Sequence, residues 1–199
     1  MNVFWTCTTE TWSPAIGDPD LLGWATTLLY LAAAFLAFRT ARLPALESTQ
    51  HRFVRYFWLT TAVLLTALAA NKQLDLQTFI VAAGRCVSQV QGWYGMRRGV
   101  QMAFALGVAG LLGAWAIWIM VGLRHSLLRM WLELLGVAAV VAFVMLRALR
   151  FLHVYHTHVF GNNSWASRIF EITGPILLII AALLMLRAHA NSMQSEDER

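Results

Sequence analysis

Lysine is almost missing from this chain, and charge in general is scarce. Lys72 stands alone beside 14 arginines, and charged residues make up 13% of the 199 positions. With 59% apolar residues and a mean hydropathy of +0.60, a soluble domain is not the expected class. Proline occurs four times, and there is no low-complexity tract and no internal repeat, which predicts one bundle rather than an array. No Lys or Arg precedes Arg39. Without a basic stretch ahead of the first apolar run, which itself starts late, no cleavable signal peptide is expected. The arginines are spread over every loop, an arrangement that argues against nucleic acid as a partner.

What is present is apolar sequence in long runs. Five are visible, at about 21–38, 53–70, 99–123, 130–152 and 169–187. A hydrocarbon core about 30 Å thick needs about 20 helical residues to cross. Backbone groups in lipid must be bonded internally, so each run reads as a helix. The predicted fold is all-α: an integral membrane bundle of five transmembrane helices plus one interfacial amphipathic helix. The turn Gly17-Asp18-Pro19-Asp20 opens the first span, with Asp18 placed to cap it.

Arginine sets the expected orientation. The first loop, about 39–55, carries Arg39, Arg42, Arg52 and Arg55, against none before it. The N-terminus is therefore expected outside and, with five spans, the C-terminus in the cytoplasm. Most single arginines need no role beyond marking a helix end at the headgroups. In the third span Gly99, Ala103 and Gly107 recur every four residues, and Gly107, Gly110 and Gly113 every three, the pattern of a close helix crossing. Trp5, Trp12, Trp24, Trp58, Trp93, Trp131 and Trp165 fall near expected interfaces, as an aromatic belt would.

Between the second and third spans lies NKQLDLQTFIVAAGRCVSQVQGWYGMRRGVQ, residues 71–101, far more polar than a plain connection. Residues 75–91 read as an amphipathic helix at the interface, ended by Gly92. Lys72 can pair with Asp75 three residues on, and Arg97 and Arg98 open the next span. Either the polar face of this segment meets water, or Lys72, Asp75, Arg97 and Arg98 roof a cavity. Cys7 and Cys86 share the outer side, which permits a disulfide; two free thiols are the alternative.

The fourth span ends in Arg147, Arg150, His153 and His156, each three apart, with His158 beyond. His153 and His156 can reach one metal ion, such as zinc, with His158 completing the set. Glu171, early in the fifth span, is then either a further ligand or a salt-bridge partner for Arg147. One of these histidines can instead ligate haem or bacteriochlorophyll, with Arg97 and Arg98 on its carboxylates. H-E-x-x-H is absent.

The stretches NKQLDLQT, GRC, QGWYGMRR, RALRFLHV and FEITG resemble those of a group of small bacterial integral membrane proteins with no known activity. The likeness runs from the second to the fifth span and implies a bacterial inner-membrane location. Ceramidase-like hydrolases, with histidine-held zinc near one membrane face, are similar in chemistry only, since His153-x2-His156 departs from their H-x3-H spacing. Two functions are expected of such a chain. One is a pocket on the outer face, where Asp75, Glu171 and the histidines support metal-assisted hydrolysis, and Arg97, Arg98, Arg147 and Arg150 hold an anionic, lipid-linked substrate. The other is an accessory subunit among other membrane subunits, holding a haem or pigment.

Overall fold

Asp20 begins the first helix by accepting the Gly23 N–H on its Oδ1 at 3.0 Å. This is the N-cap geometry, and it moves the cap two residues on from Asp18. The computed structural model describes residues 6–7, 20–46, 52–74, 76–90, 92, 97–124, 126, 128–151 and 164–197. Among these the fold is all-helical, with no strand. In chain order the helices are α1 (Leu21–Ala41), α2 (Arg52–Leu74), α3 (Leu76–Val90), α4 (Arg97–Gly122), α5 (Trp131–Phe151) and α6 (Ser164–Asp197). α1 is capped by Arg42, and a short 3-10 turn, Pro44–Leu46, follows it.

Three helical stretches are long and apolar enough to cross a membrane: Leu21–Ala41, Arg52–Leu74 and Arg168–Ser195. A shorter apolar stretch, Leu106–Gly122, lies in α4. Helices outlast the apolar runs that announce them. α2 continues beyond Ala70 through Asn71, Lys72 and Gln73, and α6 beyond Arg187 to Asp197. Hydropathy marks where lipid would end, whereas the helix continues for as long as its residues tolerate helical backbone.

α1 and α2 pack small against large. The buried stripe of α1 is Tyr30, Ala33, Ala34, Ala37 and Ala41; that of α2 includes Phe57, Trp58, Leu65 and Ala69. Thr26, Thr27 and Thr40 can sit in this apolar seam because each hydroxyl donates to a carbonyl of its own helix. Trp58 belongs here as well. It is 0% exposed, so it is a core residue and not part of an interfacial belt. Trp24 and Trp131, by contrast, lie exposed near helix ends.

α5 and α6 approach through glycine. A Cβ added at Gly174 would stand 2.6 Å from Val140 Cγ2, 3.0 Å from Val140 N and 3.1 Å from the Gly136 carbonyl oxygen. Only hydrogen fits between the two backbones there. Gly122 likewise lies under the Phe53 ring, while Phe53 and Tyr56 flank Trp118 at centroid distances of 6.0 and 6.3 Å. The glycine stripe of α4 does not behave this way. A Cβ at Gly99, Gly107, Gly110 or Gly113 would meet nothing within 4 Å. Among the described residues the close crossing is made by Gly136 and Gly174.

Candidate functional site

At one end of the bundle, the end of α2 meets the early part of α6. Lys72 Nζ and Glu171 Oε1 are 2.6 Å apart, with side chains only 10% and 12% exposed. Lysine reaches this position because α2 continues past its apolar run; its four-carbon stem then carries the ammonium across to α6. A buried ion pair exists only where both charges find a partner, since each alone would cost several kcal/mol. The partners are 99 residues apart, a pairing that local spacing does not suggest.

Around the pair stand four further groups. Tyr30 of α1 is 1% exposed, its hydroxyl has no hydrogen-bond partner, and it feels the charges of both Glu171 and Arg147. Arg147, in the last turns of α5, is partly buried. Gln73 donates from Nε2 to Thr27 Oγ1 at 2.9 Å, and its Oε1 is buried with no partner. Four helices thus bring two cations, one carboxylate, a phenol and an amide into one neighbourhood. Pro175 adds a further opening: lacking an N–H, it cannot give the Glu171 carbonyl its usual helical bond.

Several expected site residues join this cluster and others do not. Glu171 and Arg147 are part of it, and Lys72 turns to Glu171. With its carboxylate held by an ammonium, Glu171 is a poorer metal ligand than the spacing suggested. Asp75, His153, His156 and His158 lie outside the described residues. Arg97 and Arg98 open α4, and Arg150 falls in the last turn of α5. Among the described residues no group of three or more His, Cys, Asp or Glu is placed to hold a metal ion. Tyr30, Gln73 and Thr27 were not anticipated. The available signal was that a tyrosine within an apolar span brings a hydroxyl that needs a partner.

Cys7 and Cys86 are joined in a disulfide, Cα to Cα 5.9 Å, across 79 residues of sequence. Cys86 lies fully buried on α3, one turn after buried Ala82. The bond fastens the helical turn at residues 6–7 to the helix that follows α2, near the Lys72 end. Comparison with protein-family models, curated proteins and solved structures found no match to this chain.

Proposed function

We propose that this chain is a multi-pass protein of a bacterial inner membrane that binds an anionic, lipid-linked group at its extracytoplasmic end. In this reading α1, α2, α4, α5 and α6 cross the bilayer and amphipathic α3 lies along the outer interface. Two independent features support that orientation. Arginine is concentrated in the loop after α1 and absent before it. The Cys7–Cys86 bond requires an oxidising compartment, and it lies at the opposite end of α2 from that loop.

The observation that carries the binding function is the Lys72–Glu171 pair beside an unpartnered, fully buried Tyr30 hydroxyl. An anionic group entering this neighbourhood would meet the cations Lys72 and Arg147 beside Glu171. Tyr30 supplies a donor already removed from water, and a buried donor without an acceptor costs about 1–3 kcal/mol until a ligand provides one. Delipidated protein in uncharged detergent should gain thermal stability from phosphatidylglycerol and not from phosphatidylcholine, and Tyr30→Phe should remove much of that gain. Equal gains from both lipids would refute the reading. Metal-assisted hydrolysis of the bound substrate is the enzymatic extension, with His153, His156 and His158 as the zinc ligands and Asp75 as acid or base.

A second reading, an accessory subunit of a larger membrane complex, is favoured by α4. Among the described residues, a Cβ at its Gly99, Gly107, Gly110 or Gly113 would meet nothing within 4 Å. Gentle solubilisation would leave such a subunit in a large assembly, coloured if it holds a haem or pigment.

A further inference from the structure

At the end of α2 opposite Lys72, its first turns meet the last turns of α4 through aromatic rings. Gly122 lies under the Phe53 ring, with no room there for a side chain of its own. Trp118, one turn earlier on α4, has Phe53 and Tyr56 beside it at centroid distances of 6.0 and 6.3 Å. Rings packed in this way still keep an open side: Phe53 is 45% exposed, Tyr56 41% and Trp118 42%. They form a shelf held from behind by two helices and uncovered in front. Aromatic rings near helix ends suit the headgroup level of a bilayer, where one side meets acyl chain and the other meets polar groups.

The charge beside the shelf has one sign. Arg52, exposed, and Arg55, half-buried, flank Phe53 on α2. Arg52 lies three residues before Arg55 and four before Tyr56, so helical spacing puts all three on one face. Neither α2 nor α4 contains an Asp or Glu. The stretch 39–55 as a whole keeps the same sign, with four arginines against the single Glu47. Arg42 is occupied with the Phe38 ring at 4.2 Å, so the shelf's cations are Arg52 and Arg55, on the helix that supplies two of its three rings.

An occupant of this surface must offer an apolar chain to the rings and negative charge to the guanidiniums. An arginine stem lies along apolar surface while its planar head reaches a phosphate and bonds it in bidentate fashion. A choline or ammonium headgroup also has a phosphate, but its own cation would stand beside two guanidiniums with no carboxylate of α2 or α4 to receive it. We propose that the shelf binds an anionic phospholipid of the leaflet on the arginine-rich side, its acyl chain against Phe53, Tyr56 and Trp118 and its phosphate on Arg52 and Arg55. This rests on the multi-pass topology proposed above, which makes that leaflet the cytoplasmic one, and makes no use of the Lys72–Glu171 neighbourhood.

Tryptophan fluorescence reads this surface directly, because bromine on an acyl chain quenches an indole that it touches. The full chain is reconstituted in vesicles of equal parts phosphatidylglycerol and phosphatidylcholine, with one lipid at a time brominated near the top of its chains. The quenching that disappears in Trp118→Phe is the part that reports the shelf. That part should be about five-fold greater with phosphatidylglycerol brominated than with phosphatidylcholine brominated, roughly the effect of one arginine at a membrane surface. Arg52→Gln with Arg55→Gln should make the two equal. Arg52→Gln alone, at the exposed position, should narrow the difference and serves if the double variant does not fold. Equal quenching by the two lipids in the wild-type chain overturns the proposal and leaves an ordinary aromatic belt. A preference for phosphatidylglycerol that survives both arginine replacements also overturns it. Stronger quenching by phosphatidylcholine overturns it in favour of an aromatic cage for choline. Tyr30→Phe should leave the Trp118 signal unchanged, so failure of the binding proposed at the other end and failure of this surface are told apart. Quenching of Trp118 by neither lipid would put this end of α4 outside the bilayer and remove the multi-pass topology together with this proposal.

Discussion

Replacing Lys72 with methionine removes the ammonium while keeping most of the apolar stem, and leaves the Glu171 carboxylate, 12% exposed, without its 2.6 Å partner. Removing one member of a buried pair typically costs about 3–5 kcal/mol, because the remaining charge stays desolvated. Screening cannot reduce this much when both side chains are about nine-tenths covered. Replacing both members behaves differently: Lys72→Met with Glu171→Leu puts apolar groups against each other and is expected to be neutral or stabilising by about 1–4 kcal/mol. The assay is a double-mutant cycle by reversible denaturant unfolding in uncharged detergent, followed by tryptophan fluorescence. The single variant should fall well below wild type and the double variant should recover. A Lys72→Met loss under about 1 kcal/mol, or a double variant no more stable than the single, would show that the pair is solvated and would refute the burial reasoning.

Tyr30→Phe deletes a buried hydroxyl that has no partner, so the ligand-free protein should become more stable by about 1 kcal/mol, measured in the same unfolding experiment. Gly174→Ala places a methyl against Val140 and the Gly136 carbonyl and should cost about 1–3 kcal/mol by overpacking. Gly110→Ala meets open space and should be neutral or stabilising by up to about 1 kcal/mol, so thermal melts of the two glycine variants should move in opposite directions. Cys7→Ser with Cys86→Ser opens a long loop and should lower stability, with about 4.7 kcal/mol as the upper bound for a loop of about 100 residues; unfolding with and without reductant checks this, since the variant should lose all sensitivity to it.

Much of the helical order was legible because it rests on local chemistry. The apolar run at 53–70 lies within α2, and Gly92, with φ 75°, is the turn after α3. The site was only half legible. Lys72 and Glu171 stood out as charges at or within apolar runs, yet spacing did not suggest that the two meet each other. Which charges meet depends on α2 lying beside α6, and that adjacency comes from the packing of side chains far apart in sequence. Tyr30 does not stand out within the run at 21–38, since hydropathy does not ask where a hydroxyl finds its partner. The α4 glycines show the same limit: spacing shows that two backbones can approach, and it does not say which ones do.

The bond between Cys7 and Cys86 encloses α1 and α2. Each of these is long and apolar enough to traverse a bilayer, and two traversals bring the chain back to the compartment it started from. In the multi-pass topology proposed above, a ribosome making this protein would release Cys86 to its partner only after both segments had been threaded. Under that proposed topology oxidation would record insertion: a chain in which one of the two segments failed to cross would strand the sulfurs on opposite sides and stay reduced.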